Sequence, residues 1–331
     1  MRKRPQCESK NGPVLYSKRK QRKLMADRQL TYDPSFYERI RKTSWRTRVA
    51  SLSLKMPSVV VLFVWSVIPL LMTLWFSFRR YNLMDPGRNG FDGLGNYRYL
   101  LSDPSLVQSI WNTVLLVGAV LAITISLGTL LAVLFDQEFF GRGIARVLAL
   151  APFFVMPTVN ALVWKNLMMH PDNGFFAFLM RAIGLKPIDW FATAPLTSII
   201  IIVSWQWLPF ALLTLLTALQ SLDAERKEAA RMDGAGPVAM FFYIIWPHLG
   251  RAVAAVTMIE SIFLLGIFAE IYVTTSGGPG FASTDLSFLI YRYALLEYDI
   301  GGGSVGGVVA IVLANILALF LMRSFARNLD V

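Results

Sequence analysis

Glu260 lies thirteen residues beyond Pro247 in an otherwise apolar segment, which at about 1.5 Å per helical residue sets a carboxylate roughly 20 Å along a helix and deep in any bilayer it crosses. A charge there costs several kcal/mol unless it is paired, hydrogen-bonded or faces a wet cavity, so its chemistry is that of an ion pair or of solute recognition. Glu270 falls nearer an interface. Glu228 is the opposite case, a carboxylate in a polar stretch between two long apolar segments, open to a partner or to Arg231 one turn on. Groups for covalent or metal chemistry are sparse: Cys7 is the single cysteine, and His170 and His248 are far apart. No HExxH or Walker A pattern occurs. Gly277-Gly278-Pro279-Gly280 and Gly301-Gly302-Gly303 lack the following Lys-Ser/Thr of a phosphate loop. No catalytic residue and no metal-ligand set is expected.

The elements that position these groups follow from composition. With 55% hydrophobic and 16% charged residues and a mean hydropathy of +0.51, the chain reads as a membrane protein. A spanning helix needs about 20 largely apolar residues, and six stretches supply them: 57–79, 111–135, 144–169, 195–219, 250–275 and 304–326. The first begins too far in, and is too long, for a cleavable signal peptide, so it is expected to remain as an anchor. About half of the lysines and arginines precede it, which places the N-terminus in the cytoplasm; six crossings return the C-terminus there. The fold class expected is an all-α polytopic membrane protein of six transmembrane helices. A basic cytoplasmic tail covers 1–56 and a membrane domain 57–327, with segments 80–110, 170–194 and 276–303 facing the periplasm and no sheet needed. Residues 1–44 read as a flexible tail ending in a short interfacial helix around Phe36 to Lys42, and Met25 offers an alternative start. The net charge of +11 crowds this tail with no nucleic-acid module behind it, so anionic lipids rather than nucleic acid are the partner it fits.

The cytoplasmic loop 221–247 has its own punctuation. Asp223 suits an N-cap, 224–232 a short helix, Gly234 the positive φ that ends it, Pro237 the first turn of a second helix, and Pro247 a stop before the fifth crossing. The result is a helix-turn-helix knob projecting from the membrane. The plainer alternative is an amphipathic surface helix with Glu228 paired to Arg231.

The order Glu228-Ala229-Ala230, three residues, Gly234, nine residues, then Ile244-Ile245-Trp246-Pro247 resembles the EAA coupling signature of ABC importer permeases, with Trp246 where that family most often has leucine. Gly93 to Tyr97, Trp205 to Phe210 and Thr275 to Gly280 are similar to the sugar-importer (maltose-permease-like) branch. Ala151 to Thr158 and Ala161 to Asn166 resemble permeases for polyols such as mannitol and sorbitol. The resemblance implies a subunit of the bacterial inner membrane that is not itself an enzyme. It would pair with a second homologous permease, a homodimeric cytoplasmic ATPase that binds the ATP and Mg, and a periplasmic solute-binding protein; no cofactor belongs to this chain. It implies coupling to the ATPase through Glu228, Ala229, Ala230, Gly234 and Pro247. Aligned without gaps on the maltose permease, the solute-path positions fall on Gln206, Trp207, Phe210, Glu260, Phe263, Leu264 and Ile267. Leu264 and Ile267 are apolar where that relative hydrogen-bonds.

An aromatic face stacks on the C–H surface of a sugar while amide and carboxylate groups take its hydroxyls, so Trp207, Phe210, Gln206 and Glu260 are chemically compatible neighbours. The plainer readings are a structural hydrogen bond for Glu260, headgroup-level belts for Trp65, Trp75, Trp164 and Trp190, and interhelical bonds for Asn160, Asn166 and Asn315. Pro152, Pro157 and Pro209 should kink their helices. An ion-coupled secondary transporter would use intramembrane acids such as Glu260 but has no use for the EAA knob. A membrane enzyme would need clustered His, Asp or Cys.

Overall fold

The computed structural model describes the backbone of residues 34–329 and the side chains of residues 55–324. Cys7, Met25 and the tail before residue 34 lie outside the described residues. The chain divides into two compact units, 1–68 and 69–331. Helix α1 (Pro34–Ser77) is unbroken, so the short helix expected around Phe36 to Lys42 is the first part of a 44-residue helix.

After α1 come a minimal antiparallel pair, β1 (Arg79–Arg80) and β2 (Gly90–Phe91), and α2 (Gly95–Ser102). This two-residue pairing is a minor addition to a fold that is otherwise helical, as expected. Helix α3 (Pro104–Asp136) starts earlier than the apolar run suggested. Asp103 accepts the Ser105 N–H at 2.8 Å and Pro104 occupies the first turn, where its missing donor costs nothing.

The third apolar stretch is not one helix. It is α4 (Arg142–Leu150) with a 3₁₀ turn at Ala151–Phe154, then α5 (Pro157–Val163) with a wide π turn at Trp164–Met168, and the helix direction bends by 105° between the two arms. Pro152 and Pro157 flank the break, as proline's lost donor and steric demand require. Short helices α6 (Phe175–Ala182) and α7 (Trp190–Thr193) lead into α8 (Pro195–Gln220), which carries Pro209 inside it.

Beyond α8 the chain forms α9 (Ala224–Met232) and α10 (Pro237–Met240). A π turn at Phe241–Ile245 then joins α10 to α11 (Trp246–Leu264). Pro247 therefore does not stop a helix. It sits in the first turn of α11 after the widened π turn, where its missing N–H is accommodated, and Pro237–Leu264 forms one long apolar run. The fifth crossing also ends at Leu264 rather than 275, with α12 (Ala269–Thr274) separate. Helix α13 (Leu286–Tyr291), a π turn to Leu296 and α14 (Ile300–Leu329) complete the described residues. Among the described residues five helices can cross a membrane by length and composition, six if the bent pair counts as one span.

The core of the second unit lies where α3 runs along α8. Leu116, Val117 and Val120 pack with Ile199, Ile200 and Val203, and Ala132 and Phe135 with Ala211, Leu212 and Leu215. Gly128 permits the approach: a Cβ there would lie 3.0 Å from Ala211 Cβ and 3.3 Å from the Leu212 nitrogen. Trp164 is buried with Met169 and Ile202, and the half-buried Trp190 packs on the same cluster. Asn166 and Asn315 donate to Leu162 O and Ile311 O of their own helices and not across helices, whereas Asn160 does bond across.

Candidate functional site

Helix α9 and its exit define the first candidate. Asp223 occupies the N-cap position but makes no cap hydrogen bond; it pairs with Arg226 at 3.7 Å instead. The helix closes on Gly234, φ +84°, whose N–H donates to Arg231 O at 3.0 Å while Ala235 N–H reaches Ala230 O at 2.9 Å. No side chain of α9 is buried. Glu228 and Ala229 are exposed, Met232 is 88% exposed, and Ala230 is half-buried. The pairing of Glu228 with Arg231 does not form; among the described residues Glu228 takes part in no ion pair. A carboxylate beside two alanines on a helix with nothing covering it is a surface that another protein can approach closely. Its neighbour Lys227 turns the other way and meets Asp136, the last residue of α3, at 2.8 Å.

The second candidate is aromatic. Trp207 on α8 stands 6.0 Å from Phe210, 5.9 Å from Phe153 and 5.2 Å from Phe263 between ring centroids, and Phe153 is 6.2 Å from Phe210. Four rings from three segments thus form one cluster. It remains open: Phe153 is 41% and Phe263 58% exposed, with Trp207 and Phe210 half-buried. Phe153 owes its place to the 3₁₀ turn beside the 105° break. It escaped sequence reasoning as a path residue, although its position between Pro152 and Pro157 marked it as a place where the chain turns.

The polar positions are differently placed. Gln206 is buried, accepting from Asn160 Nδ2 at 2.8 Å and donating to Val155 O at 3.0 Å, so its amide fastens α8 to α5 and the turn before it. Glu260 is fully buried; its Oε2 accepts from Thr124 Oγ1 on α3 at 2.7 Å and its Oε1 has no partner. Leu264 and Ile267 lie in the core with Leu116 and Ile199. The structure therefore gathers Trp207, Phe210 and Phe263 on one open face and holds Gln206, Glu260, Leu264 and Ile267 in the packing. Asn160 Oδ1 and Ser204 Oγ are further buried polar atoms without partners. Among the described residues no three His, Cys, Asp or Glu side chains gather as a metal site. What the aromatic face can do is stack on an apolar surface and let it slide.

Residues 125–331 match the profile described as "Binding-protein-dependent transport system inner membrane component". A probable ABC transporter permease protein, y4oQ, of Sinorhizobium fredii is 34% identical over 248 residues, covering 74% of this chain and 80% of the relative. The trehalose/maltose transport system permease protein MalF of Thermococcus litoralis is 30% identical over 286 residues, covering 86% and 93%. In fold, the chain is similar to a solved bacterial ABC transporter involved in the import of the acidic polysaccharide alginate, with a TM-score of 0.71 and 22% identity over 87% of this chain and 99% of that one.

Proposed function

Because this chain belongs to the family of binding-protein-dependent transport system inner membrane components, we propose that α9 receives a cytoplasmic ATPase and that Phe153, Trp207, Phe210 and Phe263 touch the solute on its way across. The chain is the permease subunit of an ABC sugar importer and is not itself an enzyme. It works with a partner permease, an ATPase and a solute-binding protein. In the proposed arrangement the second permease is a homologue and the ATPase a homodimer that holds ATP and Mg. Both termini and α9 face the cytoplasm of a bacterium, and anionic lipids meet the basic tail. Glu228, Ala229, Ala230 and Gly234 form the contact on α9, and Pro247 roots it in α11.

The observation that carries the solute path is the open four-ring cluster around Trp207. Aromatic faces bind the C–H surfaces of carbohydrates through contacts weak enough to be left again, as a conduit requires. Gln206 and Glu260 act behind this face by holding α8 and α11 in place; Leu264 and Ile267 pack beneath them. Among carbohydrates, the finer proposal is a polyol such as mannitol or sorbitol, supported by the resemblance over Ala151 to Thr158 and Ala161 to Asn166. The relative named for trehalose and maltose favours a second reading, a disaccharide.

The test is uptake of labelled mannitol, sorbitol, trehalose and maltose into proteoliposomes carrying this chain with its permease partner, ATPase and binding protein. Polyol uptake that requires ATP and the binding protein is expected; uptake of the disaccharides alone would replace the polyol reading. Trp207→Ala should lower uptake about tenfold, the loss of roughly 1.4 kcal/mol of contact, with binding-protein-stimulated hydrolysis retained. Unchanged uptake would remove the aromatic face from the path.

A further inference from the structure

Helix α9 is held to the rest of the protein by very little. None of its side chains is buried, Gly234 at its exit has nothing within 4 Å of where a Cβ would be, and its backbone hydrogen bonds are local. Among the described residues a single side-chain bond links it to a membrane-crossing helix: Lys227 Nζ donates to Asp136 Oδ2 at 2.8 Å. Both side chains are about three-quarters buried, 22% and 25% exposed, so water screens the pair less than a surface ion pair.

The acid end of this bond is unusual. Asp136 ends α3, where the helix dipole and the unpaired carbonyls disfavour a carboxylate and favour cations. Cations do gather there: Arg146 donates to Phe135 O at 2.6 Å and Arg142 to Gln137 O at 3.4 Å. Among the described residues the one cation that pairs directly with the Asp136 carboxylate is Lys227 of α9.

Helix α3 is also the right helix to pull. It packs along α8 through Gly128 and Ala211, and twelve residues above Asp136 its Thr124 hydrogen-bonds Glu260 on α11. Between α9 and the bundle lies a cavity of about 350 Å³ whose lining includes Asp136, Lys227, Arg231, Ala235 and Met240. Without the bond across it, a push on α9 would be absorbed by that space and by rotation at Gly234.

We propose that the Lys227–Asp136 ion pair is the strut that carries displacement of α9 into α3, making both positioning residues for transport. The proposal rests on the reading of α9 as the ATPase contact. It assigns the transmitting bond to the residue preceding the EAA triplet and to the end of a different helix.

The test uses the assembled importer in proteoliposomes and reads solute taken up per ATP hydrolysed. Lys227→Met and Asp136→Asn are each expected to keep binding-protein-stimulated hydrolysis and to lose about tenfold in solute per ATP, within the usual range for coupled sites. Lys227→Arg, and the reversed pair Lys227→Asp with Asp136→Lys, should recover most of it. Normal solute per ATP in the neutral variants, or a reversed pair no better than the two single changes together, overturns the strut. If the single variants fail to assemble with the ATPase, the reversed pair decides: recovery of both assembly and ratio supports the strut, and failure to recover overturns it. Glu228→Lys in the same vesicles separates the two readings. Uncoupling by Glu228→Lys with none by Lys227→Met sinks the strut alone, whereas unaltered coupling in Glu228→Lys sinks the contact on which it rests.

Discussion

Thr124 supplies the one hydrogen bond that Glu260 receives, across two helices in the middle of the apolar bundle. Thr124→Val strips that donor and leaves a buried carboxyl with no partner, an expected loss of about 1–3 kcal/mol. It should appear as a lower thermal midpoint of the detergent-solubilised complex, with Glu260→Gln much milder because its amide oxygen still accepts. A midpoint unmoved by Thr124→Val would mean that the hydroxyl contributes nothing. Asp103 gives a pH-dependent counterpart. Partial burial pushes its carboxyl up, but the Tyr293 hydroxyl and Ser105, with the charge of Arg292, outweigh burial and hold it below the ordinary carboxylate range. Stability from a lowered carboxylate is present above its unfolded-state value and lost as pH falls through its folded-state value. Removing the hydroxyl with Tyr293→Phe should therefore shrink the stability lost on acidification below about pH 4, measured as the midpoint against pH; a parallel acid limb would exclude the bond as its source. At this scale Glu260 was conspicuous in the sequence because a charge inside an apolar run has few explanations. Thr124 was invisible, since a mid-helix threonine can equally bond its own backbone.

Helices are where periodicity and proline carried the sequence reading furthest and where it misread most. Apolar runs located α8 and α14 to within about four residues at each end, because length and hydrophobicity alone decide whether a segment can cross a bilayer, but they began α3 seven residues late and carried the fifth crossing eleven residues past Leu264. They could not register the 105° break after Phe154, which leaves hydropathy untouched, or the π turn that lets Pro247 start a helix segment instead of stopping one. Gly234 was legible because a helix ending beside a tight turn calls for a left-handed residue, and φ +84° meets it. Gly234→Ala should cost about 1 kcal/mol, purely conformational because the space is open. Gly234→Pro, which cannot take that φ and loses the N–H bonded to Arg231 O, should uncouple uptake from hydrolysis in reconstituted vesicles; retained coupling would mean that the angle between α9 and α10 is immaterial. Gly128 makes a stricter demand. Gly128→Leu must separate α3 from α8 and is expected to cost at least about 1–3 kcal/mol, visible as poor recovery of the intact complex from membranes. Wild-type recovery would show that the close crossing can be relaxed.

The molecule as a whole was legible as a membrane-embedded helical protein from its composition, and the EAA spacing pointed to its family. Its sidedness rests on where lysines and arginines fall, and single cysteines in a Cys7→Ser background test it. Arg88→Cys, in the exposed turn between β1 and β2, should react with an impermeant maleimide in cells whose outer membrane alone is opened, and Met232→Cys on α9 only once the inner membrane is breached. The opposite pattern would invert the topology. The aromatic face was only half legible, because Phe153 reaches it through a bend and not through a spacing. Asn112, near the start of α3, donates to the carbonyls of Phe281 and Thr284 at 2.9 and 2.8 Å, and Thr113 accepts the Leu286 N–H at 2.9 Å. These partners are synthesised about 170 residues later, so at a typical rate on the order of ten residues per second the first-made side chains wait many seconds for the strand of chain they bind. Until then the Asn112 NH2 group lacks both carbonyls it meets in the finished chain, although its oxygen already accepts from Gln108 one turn earlier, so a polypeptide stalled before Leu286 differs from a finished one in donors left without partners.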